Sequence, residues 1–433
     1  MNNLFKNIII AILTLTLNVA TAQVPSPSKK QEKGIVLIGG TAHLGTGEVI
    51  ENSAIAFEEG VIKYVGKSSE IDTDYSGFEK IDVSGKQVYP GLILMASQVG
   101  LVEIGAVRAT QDGSETGTLN PSVRSLIAYN TDSEVIPVLR SNGVALAQIR
   151  PGGGTISGSS SVVNFDAWNW EDAAVKTDEG IWMNWPQMYS YSGRGNNRKM
   201  EKSKTYNENV QKLKSLFAEA KVYKGEPVNL KLKALKGLFD GSQTFYITTN
   251  VSKAIIESIS FAKKAGVQKV VLAGADEDAL LLSQFLKENN VSVILAHVHR
   301  TPKRKDSFTR APYELAAKFK EAGINAAITY SGGTGSMNLP FVAGHCVAFG
   351  LSKEEALQCV TLNPAKILGI ENRAGSIEVG KNAHIVVSDG DLLDIRTNKV
   401  IYSFISGRQI ILDNKHKRLY RKFSNKYGHE IIE

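Results

Sequence analysis

Between residues 140 and 370 the chain repeats one pattern: an apolar run of strand length, then an amphipathic stretch of helical length. TFYITT precedes SKAIIESISFAKKAG, and KVVLAG precedes DEDALLLSQFLKENN. VSVILAHV is followed, after a loop, by PYELAAKFKEAG, and NAAITY leads into NLPFVAGHCVAFG and KEEALQCVTLNPAKILG. Repeated units of this kind make a parallel sheet with helices outside. Together with the earlier run NGVALAQIRP there are at least five units within 90–370, which predicts a closed (β/α)8 TIM-type barrel over an open sheet. The chain is therefore of the α/β class.

The two flanks differ from this middle. Residues 34–89 contain GIVLIGG, SAIAFEEGVIKYVG and EKIDVSGKQVYPG, short alternating runs punctuated by Gly40, Gly60, Gly66 and Gly85. Residues 371–413 return to the same character in GSIEVGKNAHIVVSDG and KVIYSFISGRQIIL. Both flanks are expected to build one small β-sandwich domain interrupted by the barrel. Residues 23–33, with two prolines and two serines, read as a linker, and 414–433 as a basic tail.

Residues 1–22 have a different logic. Lys6 gives a positive start, Ile8 to Leu17 is an apolar run too short to span a bilayer, and Ala20-Thr21-Ala22 offers small residues before Gln23. This predicts a signal peptide cleaved between Ala22 and Gln23, and an exported protein, periplasmic or secreted. Nothing later has the character of a membrane span. Cys346 and Cys359, the two cysteines, lie in a helical region and read as buried small hydrophobes. The net charge of +7 concentrates in Arg198–Lys214 and Lys415–Lys426, which read as solvated faces. Neither has the aromatic interleaving or module of a nucleic-acid binder.

The opening GEVIENSAIAFEEGVIKYVG…IDVSGKQVYPGLI and the closing LSKEEALQCVTLNPAKILGIENRAGSIEVGKNAHIVV resemble the amidohydrolase superfamily, and within it the imidazolonepropionase-like branch. The resemblance implies a metal-bearing barrel, a β-sandwich from both chain ends, and hydrolysis of non-peptide or cyclic C–N bonds. In that family an Asp-x-His-x-His on the first barrel strand, later histidines and an Asp on the last strand bind a divalent metal at the C-terminal strand ends. Imidazoles two residues apart on a strand point at one ion, and the metal makes hydroxide from bound water.

Here the family's Asp-x-His-x-His positions hold Leu94, Met95, Ala96, Ser97 and Gln98. The histidine of the middle strand is replaced by Thr248, Thr249 or Asn250, and the last-strand Asp falls near Ser331 or Gly332. A methyl group and a neutral amide are poor company for zinc, so no metal ligand set and no cofactor are expected.

His297 and His299 follow VSVIL at a strand end, with Arg300 behind them. They are the candidate catalytic pair, with three readings open: a residual zinc site, a substrate-contacting acid or base, or structure. His345 reads as a packed helical residue, and His384, where the family has Asp, as structural. The expected substrate pocket is Gln98, Glu103, Arg108, Gly153, Thr248, Arg300 and Tyr330, with PGGGTISGSSSVV at 151–163 as a loop on the active face. Trp168 and Trp170 read either as pocket-lining residues or, more commonly for such positions, as packing of the barrel wall. Two functions fit: a C–N hydrolase with a degenerate metal site, or an inactive pseudoenzyme. The second would bind a small molecule, self-associate, or partner an active paralogue. A surface-binding role for the basic tail ranks behind both.

Overall fold

The computed structural model describes residues 27–71, 73–192, 199–330 and 332–432. The signal-peptide segment 1–22 and Ser331 therefore lie outside the described residues. The chain opens with β1 (Ile35–His43), β2 (Val49–Glu58), β3 (Val61–Lys67), β4 (Glu79–Asp82) and β5 (Gln87–Pro90). Glu59 and Gly60, with φ of 52° and 78°, make the tight turn between β2 and β3 that antiparallel twist demands.

After β5 the chain enters the barrel: β6 (Leu92–Ser97), β7 (Val144–Ile149), β8 (Ile156–Asn164) and β9 (Ala174–Asn184). A small hairpin, β10 (Tyr189–Ser192) with β11 (Lys199–Lys202), stands apart from that sheet. β12 (Thr244–Thr248), β13 (Lys269–Ala275), β14 (Val291–Leu295) and β15 (Ala326–Ala327) complete it. β16 (Ile385–Ser388), β17 (Val400–Ile405) and β18 (Arg408–Gln409) return to the first domain.

β5 joins the chain ends. It runs parallel to β1 through Thr41–Gln87 and antiparallel to β16 through Ile385–Pro90. The order is β18-β17-β16-β5-β1-β2-β3 with β4 on β1, so the expected two-end domain forms as one continuous sheet. Ile35, Leu37, Ile55, Phe57, Val88, Ile385, Val387 and Phe404 fill its core from both ends of the chain.

The barrel sheet runs β15-β14-β13-β12-β9-β8-β7-β6. It is nearly closed: Ile93 N donates to Val360 O at 2.8 Å and Thr329 Oγ1 to Met95 O at 2.5 Å across the seam. Phe245 of β12 packs against Phe217 of the helix Tyr206–Val222, so the alternate residue Tyr246 points into the barrel.

Three expectations need correction. The Gly/Ser-rich stretch is a turn only up to residue 155; from Ile156 it is β8, antiparallel to β7 and β9 and buried throughout. Its serines look loop-like, yet each hydroxyl finds a partner inside: Ser159 donates to Asp178 Oδ1, Ser160 to Glu179, and Ser161 accepts from Asp178 N. The described part of the linker is docked, with Gln31 bridging Phe57 O and Gly60 N, and Ser28 N donating to Asp166. The basic tail is a helix, Lys415–Tyr427, capped by Asn414. Cys346 and Cys359 are buried free thiols, as expected. No helix among the described residues is long and apolar enough to cross a membrane.

Candidate functional site at the barrel mouth

The barrel interior is closed by a polar plug. Glu179 accepts from Ser160 Oγ at 2.5 Å, from Gln148 Nε2 at 2.6 Å and from Tyr246 OH at 2.9 Å. Trp182 lies flat on Tyr246, ring centroids 4.6 Å apart, and its indole N–H donates to Ser160 Oγ. The Arg150 guanidinium sits 4.6 Å from the Trp182 ring centroid. A Cβ on Gly180 would come 2.4 Å from the Tyr246 ring, so only glycine admits this stack. Every polar group named here is buried or half-buried, and burial pushes the Glu179 carboxyl above its ordinary range.

Above this floor, at the C-terminal ends of β9, β12, β13 and β14, opens a pocket of about 800 Å³. In a barrel of this kind that is the face where ligands bind. Trp185, Met188, Tyr189 and Met200 form an apolar wall; Asn184, Thr248, Thr249 and Asn250 supply neutral polar groups. Lys303 is the charged residue among the lining, and it is neutralised. Its Nζ lies 3.1 Å from both Asp276 Oδ2 and Asp278 Oδ2 and also bonds the Asn250 carbonyl. Sequence reasoning missed Lys303, because the charge-rich loop TPKRKDSF gives no sign of which basic residue turns inward.

His297 and His299 stand beside this pocket, just past the lining residue Ala296. The His297 ring meets Tyr330 at 4.3 Å, and its Nδ1 accepts from His299 N at 3.2 Å. His299 Nε2 lies 3.0 Å from His345 Nδ1, so His345, read from sequence as packed, is an exposed partner at the end of its helix. Burial, with Arg300 for His297 and the neighbouring histidines for His299, lowers both pKa values.

Of the residues expected in the pocket, Thr248 lines it, while Tyr330 packs on the His297 ring beside it. The others are used elsewhere. Gln98 Nε2 donates to Gly113 O, and Glu103 accepts from Ser133 Oγ at 2.9 Å. Arg108 is exposed and holds the Gln111 carbonyl. Gly153 lies in the turn before β8, and Arg300 is paired with Glu277 at 2.6 Å. Trp168 is 67% exposed, while Trp170 packs on the core. Loop residues such as Glu103 and Arg108 are sequence neighbours of a barrel strand, but Glu103 is taken by Ser133 and Asn130 of the next loop and Arg108 by Gln111 of its own.

The donor set does not fit a divalent metal. Ala96, held left-handed at φ 55°, offers no donor atom, and the amide nitrogen of Gln98 is engaged. Among the described residues no group of three or more His, Cys, Asp or Glu side chains is placed to hold a metal ion.

Fold and mouth pocket together define a barrel of the metal-dependent-hydrolase type. Residues 198–411 match the family model described as "Amidohydrolase family". An imidazolonepropionase from Brucella anthropi is 23% identical over 372 residues, 79% of this chain and 88% of that protein. One from Syntrophobacter fumaroxidans is 39% identical over 85 residues, 19% of this chain and 20% of the relative. In such local matches the chain spans about a fifth of the relative's length. An amidohydrolase from Thermotoga maritima superposes with a TM-score of 0.73 at 23% identity, covering 87% of this chain and 99% of that one, a likeness of fold alone. Residues 198–411 thus carry an amidohydrolase-family domain, and beyond it the chain is similar to imidazolonepropionases.

Proposed function

We propose that this protein binds a small neutral molecule bearing amide or ring C–N groups in the mouth pocket, and that this binding has replaced metal-assisted hydrolysis. One observation carries the reading: Thr248, Thr249 and Asn250, standing where the resemblance calls for a metal ligand, face a pocket of about 800 Å³. Hydroxyls and an amide can donate to and accept from a carboxamide or lactam. The apolar wall of Trp185, Met188, Tyr189 and Met200 suits the flat face of such a ring. Because Asp276 and Asp278 neutralise Lys303, the pocket favours no net ligand charge.

The test is a thermal-shift and ligand-observed NMR screen with hydantoin, succinimide, imidazolidinone and pyroglutamate amide, on wild type and Thr248→Trp. Binding by wild type that the pocket-filling variant abolishes is expected. No binding by wild type, or equal binding by both, sinks the proposal.

A second reading is hydrolysis of a C–N bond, the activity class of the family, with His297 as a metal-free base. The lowered pKa of His297 and His299 favours it, since neutral imidazoles can accept a proton near pH 7. Product formation from the same compounds, lost in His297→Ala, would establish this reading over simple binding. The protein is further proposed to work outside the cytoplasm, and a mature N-terminus at Gln23 after expression in a bacterial host is the result expected.

A further inference from the structure

The C-terminal helix Lys415–Tyr427 is amphipathic in the reverse sense. A helix on a globular surface turns its apolar stripe inward. Here Lys417, Arg418, Arg421 and Ser424 face the body of the protein, and Leu419, Tyr420, Phe423 and Tyr427 face solvent. Polar contacts dock the inner face. Arg418 pairs with Glu134 at 2.9 Å, Arg421 with Asp413 at 2.6 Å, and Asn414 Nδ2 donates to Ser141 Oγ. Leu419, Phe423 and Tyr427 are spaced i, i+4, i+8, so they form one stripe along the outward side. Phe423 is 46% and Tyr427 62% exposed, and Ile432 just beyond the helix is 79% exposed.

Lysines border that stripe. Lys415, Lys422 and Lys426 are exposed, and none forms an ion pair with an acid among the described residues. The Lys422 and Lys426 ammonium groups lie over the exposed rings of Phe423 and Tyr427 at 5.9 Å and 4.9 Å, so charge and ring share the outward face. Aromatic and aliphatic side chains beside lysines that nothing neutralises are what a helix lying in an anionic bilayer interface presents. The rings enter the headgroup–acyl boundary while the lysines meet lipid phosphates. A second protein surface would have to supply both an apolar groove and a row of acids.

We propose that this helix docks the protein onto anionic lipid surfaces, lying in the interface without crossing it. The expected solvated face holds for Lys415, Lys422 and Lys426, while Lys417, Arg418 and Arg421 turn toward the body of the protein.

The test is flotation of the whole protein, as purified, with vesicles of phosphatidylcholine alone or with 30% phosphatidylglycerol, at about 0.1 M salt. Co-flotation with the anionic vesicles only is expected. The exposed-site variants Phe423→Ser/Tyr427→Ser and Lys422→Glu/Lys426→Glu, confirmed folded by an unchanged melting temperature, should each weaken partition by about tenfold or more. No flotation with anionic vesicles would overturn the proposal. So would binding that survives loss of both rings, which would be charge attraction without insertion. A dimer in light scattering that Phe423→Ser/Tyr427→Ser dissolves would also overturn it, making the face a contact between two copies.

Discussion

The phenol of Tyr246 donates to Glu179 Oε2 at 2.9 Å in the closed centre of the barrel. Ser160 and Gln148 hold the other oxygen, and Trp182 roofs the assembly. Trp182 and Tyr246 thus lie two residues below Asn184 and Thr248 of the mouth pocket on the same strands. Replacing Glu179 by Ala takes the acceptor from Tyr246 OH and leaves Ser160 and Gln148 only longer bonds, and a loss of roughly 3–5 kcal/mol is expected. Urea unfolding measures it; a loss under about 1 kcal/mol would mean water fills the role.

Glu179 also makes a pH prediction. Burial raises its folded-state pKa above the unfolded value, so the folded state holds the proton more tightly. Its contribution to stability is full below the unfolded carboxylate pKa and declines as pH rises through the raised folded value. Glu179→Gln, which cannot titrate, should show a shallower fall of melting temperature over that interval. Parallel curves for the two proteins would count against a shifted carboxyl.

His384 and His43 should act in opposite directions. Burial, helped by Arg408, lowers His384 to about 4. Its contribution is present above the unfolded value near 6.5 and is lost as pH falls toward 4. For His43 burial acts downward, but the bonds to Glu354 at 2.6 Å and Gln87 at 2.9 Å outweigh it, and its pKa is raised. That contribution is full below the unfolded value and fades as pH rises through the folded one. His384→Leu should therefore flatten the acid limb of a stability profile and His43→Gln the limb above it. NMR titration of the two ring protons reads the shifts directly.

Asp166 is the joint between three parts of the chain. It pairs with Arg140 of the barrel at 3.2 Å and Arg408 of β18 at 3.1 Å, and it receives Ser28 N from the N-terminal segment. Its side chain is fully buried, so Asp166→Ala strands two guanidinium groups and should cost about 3–5 kcal/mol. An unchanged urea midpoint would show that the joint contributes nothing.

Elemental mass spectrometry of the purified protein should find well under one equivalent of zinc, iron or manganese. Near-stoichiometric metal that disappears in a His297→Ala/His299→Ala variant would overturn the metal-free reading and favour an atypical centre.

The barrel and the two-end domain were legible because apolar periodicity is local: each strand and helix announces its own buried face. Lys303 was not legible, because its partners Asp276 and Asp278 are more than twenty residues away, across a helix and β14. β8 was misread because the serines that disfavour a strand in isolation are satisfied by Glu179 and Asp178 of the neighbouring strand. The exposure of His345 has a similar cause, since its helix ends where His299 of the loop after β14 meets it.

By itself the sequence determined the class of fold, its two-domain plan, and the identities at Ala96, Gln98 and Thr248 on which the proposed metal-free reading rests. These follow from patterning and from what each side chain can donate. Only the tertiary structure decided that Glu103 turns to Ser133 and Arg300 to Glu277, that Thr248, Thr249 and Asn250 share a pocket with Trp185 and Lys303, and that the terminal helix turns its rings outward. Those outcomes depend on which distant groups satisfy one another's hydrogen bonds and charges, and a one-dimensional pattern does not carry that information.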